Sequence, residues 1–108
     1  MFNINGEEWR VVLVPPLHPE LKRQDKGYTL GTCDDVLKTI YLNRELNDEY
    51  LWRVLSHEIT HAAMFSYNVE LTIDEEELLA DLIATYGKEI ISITNIMFNR
   101  IKEKRGKV

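Results

Sequence analysis

His57-Glu58-Ile59-Thr60-His61 sets two imidazoles four residues apart, with a carboxylate directly after the first. On an α-helix, positions i and i+4 share one face a single turn apart. Two imidazoles so placed reach one Zn²⁺ at about 2.0–2.1 Å. Glu58 is turned about 100° around the axis from His57, so it addresses a metal-bound water without being a ligand. A carboxylate in that position takes a proton from the water, whose pKa the metal lowers, and passes it to a leaving amine. A catalytic zinc takes three protein ligands and leaves a fourth corner open. His18, the one other histidine, lies in a Pro-containing loop; the acidic stretch Glu77-Leu78-Leu79-Ala80-Asp81 is better placed. Glu77 and Asp81 stand in i,i+4 register, so Glu77 serves as the third ligand while Asp81 accepts the Nδ1 proton of a bound histidine. Asp81 is flanked by Leu79, Ala80, Leu82 and Ile83, and a carboxylate in apolar company needs a partner. Glu76 is the alternative third ligand, less favoured than Glu77 because it would place Ala80 at i+4; otherwise Glu75 and Glu76 read as charges complementing a helix dipole.

These side chains need helices to position them. Asn47 or Asp48 caps a helix whose apolar residues Leu51, Trp52, Leu55, Ile59, Ala62 and Ala63 recur at helical spacing. The metal-binding helix spans about 48–66, and Tyr67-Asn68 ends it, Asn being suited to a left-handed terminal position. Thr72-Ile73-Asp74-Glu75 is a capping-box pattern that opens a second helix. Leu78, Leu79, Leu82, Ile83 and Tyr86 form its apolar face, Gly87 marks a break or a thin spot, and Ile90, Ile93, Met97, Phe98 and Ile101 indicate a third helical stretch. Upstream, Trp9–Val14 reads as a strand stopped by Pro15-Pro16. Tyr28–Cys33 and Thr39–Leu42 read as two more, joined as a hairpin across a loop of about four residues that begins with Asp34-Asp35. The expected architecture is a single α+β domain over residues 1–108, a small antiparallel three-stranded sheet packed against a helical layer.

A chain of 108 residues fits one domain, which buries roughly 65% of its unfolded surface, so a bound metal adds noticeably to stability. Lys plus Arg number 13 against 18 Asp plus Glu, a net charge of −5, which argues against a nucleic-acid or anionic-membrane binder. The basic residues from Arg100 to Lys107 complement a helix C-terminus instead. One cysteine, Cys33, excludes an intramolecular disulfide and a Cys-rich zinc site, and reads as a small strand residue. Met1–Glu8 is polar and acidic, without the features of a secretion signal, and Val11–Val14 is too short to span a membrane. A reducing cytoplasm is the expected setting. Trp9 and Trp52 read as core residues, and Tyr67 and Tyr86 as packing residues with a secondary candidacy as oxyanion donors.

His57-Glu58-x-x-His61 followed by Glu77-x-x-x-Asp81 resembles the zincin metallopeptidases of the gluzincin type. The short form resembles the ImmA/IrrE-like N-terminal peptidase domains, and especially the small zincin-like proteins of bacteriophages and prophages. The resemblance covers roughly residues 28–89. It implies Zn²⁺ held by His57, His61 and Glu77, Glu58 as general base, Asp81 behind the ligands, a minimal zincin-like fold, and a peptide or protein substrate in the host cytoplasm. No His or Tyr of this chain matches the position that stabilises the oxyanion in that family, and larger members carry a further C-terminal region. Two functions follow as expectations. The first is a zinc endopeptidase whose substrate lies extended along the edge strand Thr39–Leu42, with Tyr41 and the Tyr28 strand shaping the pocket. The second is a zinc-stabilised protein-binding module with little or no hydrolytic activity.

Overall fold

Asn5 and Gly6 both have positive φ, 49° and 78°. That backbone makes a two-residue turn whose twist matches paired strands, and Asn-Gly adopts it at low cost. It joins β1 (Phe2–Ile4) to β2 (Glu7–Val14) in an antiparallel hairpin, with Phe2 opposite Trp9 and Ile4 opposite Glu7. The computed structural model describes residues 1–106, so the Lys107 end of the basic tail lies outside the described residues. Pro15 and Pro16, which lack the N–H a ladder needs, follow β2 directly. The chain then runs through a 3₁₀ turn, Pro19–Leu21, capped by His18, whose Nδ1 accepts the Glu20 N–H at 3.1 Å.

β3 (Gly31–Asp34) and β4 (Thr39–Asn43) form the expected hairpin. Asp34 Oδ1 accepts the N–H groups of Val36 and Leu37 and so folds the four-residue turn between them. The sheet differs from the antiparallel three-stranded expectation in two ways. It has four strands in the order β1-β2-β4-β3, and β2 pairs with β4 in parallel. The first strand falls within the polar N-terminal residues, where the Asn5-Gly6 turn was its one strong sequence signal. The parallel pair arises because the crossover from β2 to β4 carries β3 inside it rather than a helix. Consequently Thr39–Leu42 is not an edge strand: β4 is interior, and β3 forms the edge. Tyr28 also falls outside β3, making only an isolated bridge to Lys22.

α1 (Asp48–Ser66) lies on one face of the sheet. Asn47 caps it by accepting the Tyr50 N–H at 3.0 Å, and Asn68 beyond its end takes the left-handed backbone at φ 52°. Trp9, Ile40, Leu42 and Ala62 are fully buried between sheet and helix, with Leu51, Val54, Leu55 and Ile59 packed around them. The Trp9 indole N–H donates to Ser66 Oγ at 2.8 Å, and the Asn5 amide donates to the Ser66 carbonyl at 3.0 Å. The first hairpin is thereby fastened to the end of α1. Tyr41 alternates to the opposite face of the sheet, where it stacks on His18, and the fully buried Leu21 is held on this side by the 3₁₀ turn.

α2 (Ile73–Leu82) opens with the expected capping box: Thr72 Oγ1 accepts from the Glu75 N–H and Glu75 accepts from the Thr72 N–H. Gly87 does not break the helix. Ile83–Gly87 instead forms a π-helical turn, and α3 (Lys88–Gly106) continues from it. The expected apolar face of α2 is split: Leu79 and Ile83 are half-buried, whereas Leu78 is 69% exposed and Leu82 and Tyr86 are also open. Residues 76, 77, 80 and 81 lie beside Leu79 and Ile83 on the side turned to α1, with Ala80 buried. Trp52 is half-buried in the wall of an apolar groove rather than in the core. Among the described residues no helix is long and apolar enough to cross a membrane.

Candidate metal centre

The i,i+4 spacing on α1 puts the two imidazoles side by side, with His57 Nε2 and His61 Nε2 3.1 Å apart. α2 crosses beside them and delivers Glu77. Its Oε1 lies 2.8 Å from His61 Nε2 and its Oε2 3.4 Å from His57 Nε2. One donor atom from each of His57, His61 and Glu77 lies within 4.8 Å of the others. Each ring is also held from behind. His57 Nδ1 is 3.0 Å from Asp81 Oδ1, and His61 Nδ1 is 2.6 Å from Glu76 Oε1.

Those outer contacts assign the tautomers. A carboxylate accepts only, so each Nδ1 carries the donated proton. Both Nε2 atoms then face inward as lone pairs, against a third acceptor, the Glu77 carboxylate. Three acceptors converging at this range need an electropositive partner between them, either a proton or a cation. A tetrahedral ion at about 2.0–2.1 Å from each ligand sets its donors about 3.3 Å apart. The Nε2–Nε2 separation of 3.1 Å and the two Glu77 oxygens at 2.8 and 3.4 Å lie near that spacing, so small side-chain adjustments would admit an ion. Imidazole and carboxylate donors together suit a divalent transition-metal ion.

Glu58 is 7% exposed and sits where α1 meets β3. Gly31 allows this close approach: a Cβ there would lie 2.7 Å from Val54 Cγ1 and 3.2 Å from Glu58 Cγ. Burial pushes the Glu58 carboxyl up from its usual range and the neighbouring Glu77 charge adds to it, whereas positive charge at the two histidines or between them would oppose it. Two clefts flank the triad. One, of about 410 Å³, runs between Gly31–Cys33 of β3 and the three ligands; the other, of about 340 Å³, lies on the Arg53 and Asp81 side. A larger cavity, about 560 Å³, lies away from this chemistry between α1 and the start of α3. Cys33 faces the site side of β3, and burial with the neighbouring Glu58 charge pushes its thiol up to about 12. It is thus a packing residue without thiolate character at neutral pH.

His57, His61, Glu77, Glu58 and Asp81 are all brought to one place. His18 is not, being spent on its 3₁₀ cap. Tyr67 and Tyr86 line neither cleft. Glu76, in sequence the alternative third ligand or a dipole charge, has instead a role that i,i+4 spacing alone does not reveal: it stands behind His61. It is the closer and better buried of the two orienting carboxylates, its side chain 19% exposed against 68% for Asp81. Its signal was present in the helical wheel: Glu76, Glu77, Ala80 and Asp81 fall on one side of α2, with a small residue where α1 approaches.

No protein-family model matches this chain, and neither a curated protein nor a solved structure matches it.

Proposed function

We propose that this protein is a zinc-dependent endopeptidase of the zincin type, built on a minimal form of that fold like the ImmA/IrrE-like domains of phage and prophage proteins. The observation that carries the reading is the orientation of both imidazoles. Each Nδ1 is tied to a carboxylate while both Nε2 atoms and Glu77 aim at a common point. Surface histidines on an amphipathic helix have no reason to acquire a dedicated carboxylate each.

His57, His61 and Glu77 would hold the ion, and Glu76 and Asp81 fix the two rings. Zinc, when bound there, supplies a Lewis acid that polarises a carbonyl and makes water more acidic. Glu58 supplies the proton traffic. Its carboxylate accepts a proton from the attacking water, and the resulting carboxyl group returns it to the nitrogen of the departing amine. Burial raises the proton affinity of Glu58 and the charge of a bound ion would lower it, and a group held between the two can both take and return a proton. The substrate peptide lies extended along the outer edge of β3, pairing with its backbone and passing through the 410 Å³ cleft. A reducing cytoplasm fits the unpaired Cys33.

The test is turnover of a peptide library by the zinc-loaded protein and by Glu58→Gln, with metal content measured in both. We expect one zinc per chain in each and a loss of at least about a hundredfold in turnover for the variant, the usual contribution of a general base. Equal turnover overturns the role of Glu58. The absence of Tyr67 and Tyr86 from the cleft linings favours one second reading, a zinc-stabilised module that binds a protein partner without cutting it. Stoichiometric zinc with no cleavage of any peptide establishes that reading instead.

A further inference from the structure

We infer that this protein is a two-fold homodimer in which α3 of each copy packs into the apolar groove between α1 and α3 of the other. The inference is independent of the metal reading. All 19 residues of α3 are exposed, and the helix extends the molecule to 61 Å against 31 and 27 Å in the other directions. The radius of gyration is 16.8 Å, whereas a compact chain of this length has about 13 Å. A solvated helix should be polar all round, but α3 carries an exposed apolar stripe. Ile90, Ile93, Met97 and Ile101 recur at helical spacing, with Phe98 beside them, while Ser92, Asn95 and Asn99 hold the opposite face.

The groove offers the matching surface. Trp52, Leu55 and Ile59 of α1 form one wall, and Ile83, Ile90 and Ile91 form the other, around about 560 Å³ of space. Area and charge point to a second copy as the occupant. A 19-residue helix is about 28 Å long and 10–12 Å across, so a third of its surface is about 300 Å². In a reciprocal arrangement each copy gives a helix face and receives one, which buries about 1,200 Å² in total when the whole face is covered, the lower end of the range of stable dimers. Residues 100–106 hold four Lys or Arg against Glu103, whereas residues 1–99 hold 8 Lys or Arg against 17 Asp or Glu. The basic end of α3 is therefore complementary to the body of another copy and repelled by another basic end. Antiparallel docking about a two-fold axis satisfies both conditions.

The experiment is sedimentation velocity of the full chain from 1 to 100 μM, with tryptophan emission recorded on the same samples. Each copy weighs 12.7 kDa, and we expect a species of twice that mass that weakens as salt is raised from 50 to 500 mM. Trp9 is fully buried, so a blue shift of emission on association reports cover placed over Trp52. The double variant Ile93→Asp/Ile101→Asp changes two exposed side chains. It should keep the wild-type helical circular dichroism, sediment as a monomer at 100 μM, and show no concentration-dependent blue shift. A wild-type protein that stays monomeric at 100 μM overturns the proposal, as does a double variant that remains dimeric. Dimerisation without a change in Trp52 emission overturns the groove as the docking site.

Discussion

Removing the Glu76 carboxylate should weaken zinc binding more than removing that of Asp81. Both carboxylates touch a ligand histidine from behind, but their settings differ. Glu76 lies 2.6 Å from His61 Nδ1 with its side chain 19% exposed, while Asp81 lies 3.0 Å from His57 Nδ1 and is 68% exposed. Water screens the Asp81 contact and can replace it when the side chain is cut back. The Glu76 contact is shorter and drier, so its loss frees the His61 ring to rotate or change tautomer. Loss of such an outer partner typically costs 10–100-fold in metal affinity, or about 1.4–2.8 kcal/mol. Glu76→Ala is expected in the upper part of that range and Asp81→Ala at or below its lower end. Glu75→Ala is the control, because it breaks the capping box at the same helix start without touching a histidine. It should lower thermal stability while leaving zinc affinity unchanged. The assay is competition for zinc against a chromophoric chelator at fixed pH, with folding checked by circular dichroism. An Asp81→Ala variant that binds zinc as weakly as Glu76→Ala, or a Glu76→Ala variant with wild-type affinity, refutes the assignment of Glu76 as the main orienting group.

Stripping the metal with a chelator should lower Tm by about 15–20 °C relative to protein in excess zinc. A ligand at a thousand times its Kd contributes about 4 kcal/mol to a domain of this size. Calorimetry with and without zinc checks this, and His61→Ala should abolish the zinc-dependent difference. Gly31→Ala should destabilise the fold by about 1–3 kcal/mol in urea unfolding, because the new methyl meets Val54 and Leu42 at 2.7 and 3.0 Å. Peptide turnover should fall with it, since the β3 edge and Glu58 are forced apart. Cys33, its thiol pushed up to about 12, should react with iodoacetamide at pH 8 at least about a hundredfold more slowly in the native protein than in the urea-unfolded chain. Mass spectrometry over time reads the difference, and equal rates would show that Cys33 is neither buried nor protonated as described.

Local signals carried far in this chain wherever a short stretch contains its own instructions. Asn47 and the Thr72–Glu75 box start their helices where the sequence places them, and Asn68 takes the left-handed backbone its type allows. The His57–His61 spacing is a property of any helix, so the pairing of the two imidazoles was legible before any fold was known. The Glu77–Asp81 register likewise placed two carboxylates on one side of α2.

What a one-dimensional pattern does not contain is which side of a two-faced helix turns inward. α2 has a leucine stripe and an acidic stripe, and hydropathy selects the leucines. The structure keeps only Leu79 and Ile83 of that stripe half-buried and turns Glu76, Glu77 and Ala80 to α1 beside them, because charged and imidazole groups satisfy one another there. Glu76 changes from a dipole charge to a histidine partner by that rotation alone. The parallel pairing of β2 with β4 is another decision of this kind. It depends on where β3 leaves the crossover, and residues far apart in sequence settle it through the packing of Trp9, Ile40, Leu42 and Ala62. The amino-acid order by itself determined the helices, their caps and the donor atoms each one carries. Only tertiary packing decided which strand became the edge beside Glu58 and which carboxylate stands behind each imidazole, because those outcomes depend on how elements rotate and stack rather than on spacing within any one of them.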